Sequence, residues 1–242
     1  MTRRRWIADT FTETTASLLG MQAEHLARVL RAQPGTEAEI VAGTRVYRAS
    51  IANVNQEEVR FDLIEEIGAE SALPITLLLA VFKFDRMEWA IEKATELGVA
   101  TIVPVIARRT EKHLAQAADK RAGRWRRLAL EAAQQSRRGD VPVVEDPVAL
   151  PARLKQSSNA HRILLSEEER DTTLRERVEM ALATSESGLT NFEFAIGPEG
   201  GWTGDELALF ARYDWQSASL GSRILRAETA AIAAISIASS LL

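Results

Sequence analysis

Two glycine-bearing loops in the last third of the chain constrain its fold more than any other feature. One reads Ile196-Gly197-Pro198-Glu199-Gly200-Gly201-Trp202; the other, about twenty residues on, reads Leu220-Gly221-Ser222-Arg223-Ile224-Leu225-Arg226-Ala227-Glu228-Thr229. Each follows a short apolar run with the character of a strand and leads into a helical pattern. Two strand ends that bring glycine turns to one edge of a sheet build the ligand crevice of an α/β protein. Glycine lets the backbone approach a ligand closely, because no Cβ stands in the way. Thr203 and Glu206 also form an S/T-x-x-E capping box, so the first loop has a purely structural reading as a strand turning into a helix. A second such turn at a neighbouring strand end weighs against that reading.

Charge narrows the ligand. Glu199, Asp205 and Glu206 surround the first loop, and no Lys or Arg lies within it. Such a loop repels a phosphate but not a neutral adenosine or a cationic sulfonium. The expected ligand is therefore S-adenosylmethionine rather than a nucleoside triphosphate.

The rest of the chain fits an α/β frame. From Pro74 onward, strand and helix patterns alternate: strands at Ile75–Phe82, Thr101–Ile106, Arg162–Leu165, Phe192–Ile196 and Ser217–Leu220, helices at Ala118–Arg137, Thr172–Thr184, Gly204–Tyr213 and Ala227–Leu241. That alternation implies a mainly parallel sheet covered on both faces. Asp85 and Glu88 are placed to cap a helix whose stripe is Met87, Ala90, Ile91, Ala94 and Leu97, with Gly98 as its stop. Residues 1–70 are different in texture. Arg45–Ile51 and Glu58–Ile64 alternate like half-buried strands, and one short helix fits Ala23–Arg31 before the Pro34-Gly35 turn. The division is thus 1–70 and 71–242, with Gly68–Pro74 as the junction. A dinucleotide-binding enzyme is disfavoured, since G-x-G-x-x-G is absent.

There is no cysteine, and His25, His113 and His161 are far apart, so neither disulfides nor a metal centre is expected. No apolar run approaches the length of a membrane helix, which makes the cytoplasm the default compartment. The net charge of −4 conceals an asymmetry: Arg108–Arg138 holds ten Lys or Arg against three acids, a local +7 that leaves −11 elsewhere. A basic surface on an acidic protein suits a phosphate backbone held in one orientation.

Three ordered blocks carry a resemblance to a known family. Arg86-Met87-Glu88-Trp89-Ala90-Ile91-Glu92-Lys93-Ala94-Thr95-Glu96-Leu97-Gly98-Val99 resembles an R-M-E-W/F-x-I/V-x-K-A/S-x-E-L-G-V block. Gly197–Gly201 resembles a G-P-E-G-G loop, and Leu220–Thr229 an L-G-x-R-I/V-L-R-x-E-T segment. Together they resemble the 16S rRNA (uracil-N3)-methyltransferase (RsmE) family of the SPOUT class. Phe84 and Arg137 depart from it, each standing where that family usually or often has glycine.

The resemblance implies a SPOUT-type parallel sheet whose C-terminal segment threads a trefoil knot, a small PUA-like barrel before it, and a homodimer acting on 16S rRNA or the small ribosomal subunit. The long apolar helix Ala227–Leu241 is a candidate dimer seam. Cofactor contacts are expected from Leu165, Ile196, Gly197, Gly200, Gly201, Leu220, Gly221, Ile224, Leu225, Arg226 and Thr229. RNA contacts are expected from Arg5, His25, Arg28, Arg31, Arg124, Arg127 and Arg138. Methyl transfer is a displacement that needs nucleophile and methyl held in line. Uracil N3 is a weak acid, so a proton must leave and negative charge must be stabilised. Arg223 and Arg226 are the candidate cations for that charge, and Glu199 and Glu228 the candidate proton acceptors. A plain Arg226–Glu228 ion pair is the structural alternative, and an RNA-binding assembly factor the non-catalytic one.

Overall fold

The computed structural model describes residues 4–184 and 190–242. The chain divides into two compact units, one of Met1–Ser71 with Glu131–Val141, the other of Ala72–Leu130 with Pro142–Leu242.

The first unit is built on a six-stranded sheet. Its elements are β1 (Arg5–Ile7), β2 (Thr10–Phe11), β3 (Thr15–Leu19), α1 (Gly20–Glu24), β4 (Glu37–Ala42), β5 (Arg45–Val54) and β6 (Glu58–Ile67), with strand order β1-β4-β5-β6-β3-β2. β1 runs parallel to β4 and the remaining pairs are antiparallel. Alternation along β5 and β6 sends Ala49, Ile51, Val59 and Phe61 into a core shared with Trp6, Leu18, Leu26 and Ile40. The helix expected over 23–31 splits. After α1, residues His25–Val29 form a single π turn, with Leu30 N–H reaching the His25 carbonyl at 3.0 Å. Arg31 then takes a left-handed φ of 51°. Periodicity alone cannot announce such a bulge, which is one inserted residue in an α-helical register.

Arg137, standing where glycine is usual, is also left-handed at φ 60°. A side chain in that region costs about 1–2 kcal/mol. Here charge offsets the cost: Arg137 pairs with the buried Glu39, and its carbonyl accepts from Arg5 Nη1 at 2.5 Å. Arg5 completes the cluster with its own 2.9 Å ion pair to Glu39.

The second unit contains β7 (Leu73–Ala80), α2 (Phe84–Glu96), β8 (Val99–Ile106), α3 (Lys112–Gln135, whose last turn belongs to the first unit), β9 (Val143–Val144), β10 (Val148–Ala149), α4 (Leu150–Leu154), β11 (His161–Leu165), α5 (Leu174–Thr184), β12 (Phe192–Ile196), α6 (Gly204–Arg212), β13 (Gln216–Ala218) and α7 (Ala227–Ser239). Every strand pairing is parallel, in the order β10-β8-β7-β12-β11-β13, with β9 also on β8. β7 is apolar apart from Thr76 because both of its faces are covered. Ile75, Leu77 and Leu79 pack with Met87, Ile91, Trp125, Val178 and Ile235 on one side. Leu78 and Ala80 pack with Leu150, Leu154, Phe210 and Trp215 on the other. Each large side chain so buried contributes about 1.5–3 kcal/mol.

Two expectations about this unit need correction. Asp85 does not cap α2, which starts after Lys83 without a side-chain cap. Glu88 instead accepts from Arg124 Nε and Nη2 at 2.7 and 2.8 Å and from Arg121 at 3.3 Å. A carboxylate offered two guanidinium groups gains more than one offered a single backbone N–H. Nor do the two glycine loops leave neighbouring strands, because β11 lies between β12 and β13. The Thr203–Glu206 capping box on α6 is present as expected.

Candidate active site

Brought together at the carboxyl ends of β12, β11 and β13, three loops enclose a cavity of about 330 Å³. This is where an open α/β sheet binds its ligand. Its wall takes in Leu165, Ile196, Gly197, Gly201, Leu220, Gly221, Ile224, Leu225 and Arg226. Gly200 and Thr229, also expected there, lie outside the wall. Ser166, Glu167 and Glu168 join it from the end of β11, with Trp202 beside them.

The glycines have distinct causes. Gly201 and Gly221 have φ of +70° and +111°, which side chains resist. A Cβ on Gly197 would sit 3.2 Å from the Trp202 ring. Gly197 is therefore fixed by packing against the chain's own tryptophan, a reason the sequence does not display.

The polarity of the site also differs from the reading of the loop by itself. Arg86, in the first turn of α2, and Arg109, in the loop after β8, reach the cavity alongside Arg223 and Arg226. Arg86 Nη1 lies 2.5 Å from Glu199 Oε1, and Arg86 Nε lies 3.9 Å from Glu228 Oε1. In the assembled site Arg86 neutralises Glu199, one of the three carboxylates around the first loop, so the loop is less acidic than its local sequence suggests. Glu228 is 6% exposed, stands behind Arg86 rather than in the wall, and its Oε2 has no hydrogen-bond partner. The Arg226–Glu228 pair raised as the structural alternative is absent: among the described residues no carboxylate is at ion-pair distance from Arg223 or Arg226. Both guanidinium groups are left to face whatever enters. No group of three or more possible metal ligands occurs among the described residues.

Comparison with known proteins settles the family. The model for the RNA methyltransferase domain matches residues 69–239. Ribosomal RNA small subunit methyltransferase E of Rickettsia conorii is 33% identical over 208 residues, covering 85% of this chain and 78% of the relative. The protein of the same name from Bacillus subtilis is 31% identical over 227 residues, covering 92% and 88%. The chain belongs to the ribosomal RNA small subunit methyltransferase E family. The crystal structure of a member of this family from Neisseria gonorrhoeae, bound to S-adenosyl methionine, superposes with a TM-score of 0.84 at 28% identity over 98% of this chain and 97% of that one.

Within this member of the methyltransferase E family, the expected RNA-contact residues occupy varied settings. In the first unit, Arg5 is buried on Glu39, His25 stacks obliquely with its centroid 6.1 Å from that of Trp6, and Arg28 pairs with Glu24 at 2.6 Å. Arg31 is exposed. The Arg138 side chain is 8% exposed and pairs with Asp140 at 2.6 Å. In the second unit, Arg124 lies on Glu88 and Arg127 is exposed on α3. Four carboxylates from outside the 108–138 segment thus meet its cations, since Glu39, Glu88, Asp140 and Asp146 pair with Arg137, Arg121 and Arg124, Arg138, and Arg126. Its field is weaker than a count along the chain suggests.

Arg86 and Arg109 were invisible as site residues in the sequence. Arg86 opens the first of the three family blocks, yet nothing local ties it to Glu199, 113 residues away.

Proposed function

We propose that this chain transfers a methyl group from S-adenosylmethionine to N3 of a uridine in 16S rRNA, as a cytoplasmic homodimer. What carries this reading is one cavity, at three strand ends, that gathers both glycine loops and two arginines without carboxylate partners. The wall fits the cofactor. Leu165, Ile196, Leu220 and Leu225 offer apolar surface for an adenine ring, and Glu167 and Glu168 offer acceptors for ribose hydroxyls or an ammonium group. When bound, S-adenosylmethionine supplies an electrophilic methyl on a cationic sulfonium.

The chain's own residues supply orientation and charge. Arg226, at the N-cap of α7, and Arg223 face the cavity and stabilise the negative charge that develops on the uracil as N3 loses its proton. Of the two candidate acceptors, Glu199 reaches the cavity. Glu228 sits behind Arg86 and orients it, so Glu199 is the better-placed proton acceptor.

The reading extends to the SPOUT class. β12 lies between β7 and β11, an interleaving consistent with a trefoil knot, and the first unit takes the role of a PUA-like barrel that holds RNA with Arg28 and Arg31. α7 carries small side chains on most faces, as a dimer seam requires. Among the described residues, no helix is long and apolar enough to cross a membrane. The test is mass-spectrometric mapping of methylated nucleotides in 16S rRNA from cells with and without the protein. One N3-methyluridine that depends on the protein is expected; an unchanged methylation map would overturn the assignment.

A further inference from the structure

Arg109 belongs by position to the basic 108–138 segment, yet its side chain turns the other way. Its Nη1 donates to the Gly200 carbonyl at 2.6 Å and to the Trp202 carbonyl at 3.1 Å. Its methylenes cover Gly200 so closely that a Cβ there would meet Arg109 Cδ at 3.3 Å. The turn that carries Arg109 is itself fixed. Thr110, 9% exposed, donates its hydroxyl to the Val81 carbonyl at 3.0 Å and accepts from Ala107 N–H at 3.2 Å. Next to it, Arg108 N–H donates to Glu206 Oε1 at 2.7 Å. The other oxygen of Glu206 accepts from the backbone and hydroxyl of Thr203 at 2.8 and 2.9 Å. The glycine loop and the start of α6 are thereby fastened to the end of β8 through charge-assisted hydrogen bonds.

We propose that Arg109 is a positioning residue of the cofactor site: it clamps the Gly200–Trp202 backbone in its cavity-forming shape and does not contact an RNA phosphate. This rests on the proposed reading of the cavity as the S-adenosylmethionine site. A loop held in its binding shape before the ligand arrives avoids the ordering cost that a loose loop incurs on binding. Glycine at 200 is then required by the clamp rather than by the ligand, since Gly200 is outside the cavity wall.

The test uses the full-length protein and the variants Arg109→Ala, Gly200→Ala and the double variant. Affinity for S-adenosylmethionine is measured by calorimetry, RNA affinity as a function of salt, and amide exchange at Gly201 without any ligand. In the wild type, Gly201 N–H is bonded to the Pro198 carbonyl at 2.8 Å. Arg109→Ala is expected to weaken cofactor binding about tenfold and to accelerate Gly201 exchange, while the salt slope of RNA binding stays at the wild-type value. Gly200→Ala is expected to weaken binding less, and to add almost nothing in the Arg109→Ala background, because both act on one contact. The proposal is overturned if Arg109→Ala leaves Gly201 exchange and cofactor affinity unchanged while lowering the salt slope by about one, the signature of a lost phosphate contact. A wild-type protein that binds no S-adenosylmethionine would remove the cofactor assignment instead, and the exchange measurement still decides whether the clamp exists.

Discussion

The two glycine loops look alike on paper and are opposites in the fold. The Gly197–Trp202 loop is held by two arginines from elsewhere and by its own tryptophan: Arg86 grips Glu199, Arg109 grips two carbonyls, and the Trp202 ring lies against Gly197. The second loop is anchored at Ser219, whose backbone bonds Thr172 and Leu174 at 2.9 Å each, and beyond it is tied to itself through Ser219 Oγ and the backbone of Gly221 at 3.1 and 3.2 Å. Its Gly221 has no atom within 4 Å of a would-be Cβ, and Ile224 is 78% exposed. One loop is preformed, and the other waits for something to close against. On the proposed reading both loops line the cofactor cavity, and the open one also carries Arg223 and Arg226, which handle the substrate.

The sharpest way to break this division is Arg226→Ala. Removing one preorganised donor typically costs about a hundredfold to a thousandfold in rate. Single-turnover methylation should fall by that factor while S-adenosylmethionine affinity changes little, and a proportionate loss of both would place Arg226 in the binding half. Next in size is Arg223→Glu, which should weaken RNA binding about tenfold and lower its salt slope by about one. The same measurement on Arg127→Glu should give a similar slope change, and on Arg138→Glu a smaller one, because the Arg138 side chain is buried against Asp140. A third comparison sets Gly201→Ala against Gly221→Ala. The clamped loop has no freedom to relax a left-handed alanine, so the first should cost about 1–2 kcal/mol, or roughly 2–8 °C in melting temperature. The open loop can shift, and the second should cost less than half as much.

The smallest effect concerns the loop after β11, which holds itself. Glu169 Oε1 accepts from Asp171 N–H at 2.8 Å and Thr172 N–H at 3.1 Å, and these bonds hold its carboxyl below the usual value of 4.5. A lowered folded-state pKa stabilises above the unfolded value and is lost as pH falls through the folded one. Glu169→Gln should therefore lower the melting temperature by about 1 °C or less at neutral pH, with the difference shrinking as pH falls below 4.5 and vanishing below the lowered folded-state value. A difference that grows on acidification would contradict the sign.

How much of this was legible depended on the range of the interaction concerned. β12 is found at the residues read from sequence, Phe192–Ile196, because a strand buried on both faces is apolar at all but one position, the exception being Glu193, which pairs with Arg153 and Arg162. The Thr203–Glu206 box is local and was equally plain. β9 and β10 have two residues each, too short for any periodicity, and α4 has five, opened by Leu150-Pro151. Glu88 was assigned to a cap because the nearest backbone N–H is visible in sequence, whereas Arg121 and Arg124 are more than thirty residues away. The same blindness hid Arg109, whose partners Gly200 and Trp202 lie 91 and 93 residues downstream. Arg137 was visible only as a departure from a glycine position; what makes it tolerable, Glu39 and Arg5, is again distant in sequence.

Amide exchange on both loops, with and without S-adenosylmethionine, tests the central claim most directly. The account predicts that Gly201 N–H is already protected in the ligand-free protein, and that the amides of 222–225 exchange fast until the cofactor is added. Fast exchange of both loops without ligand, or a second loop as protected as the first before the cofactor is added, would contradict it.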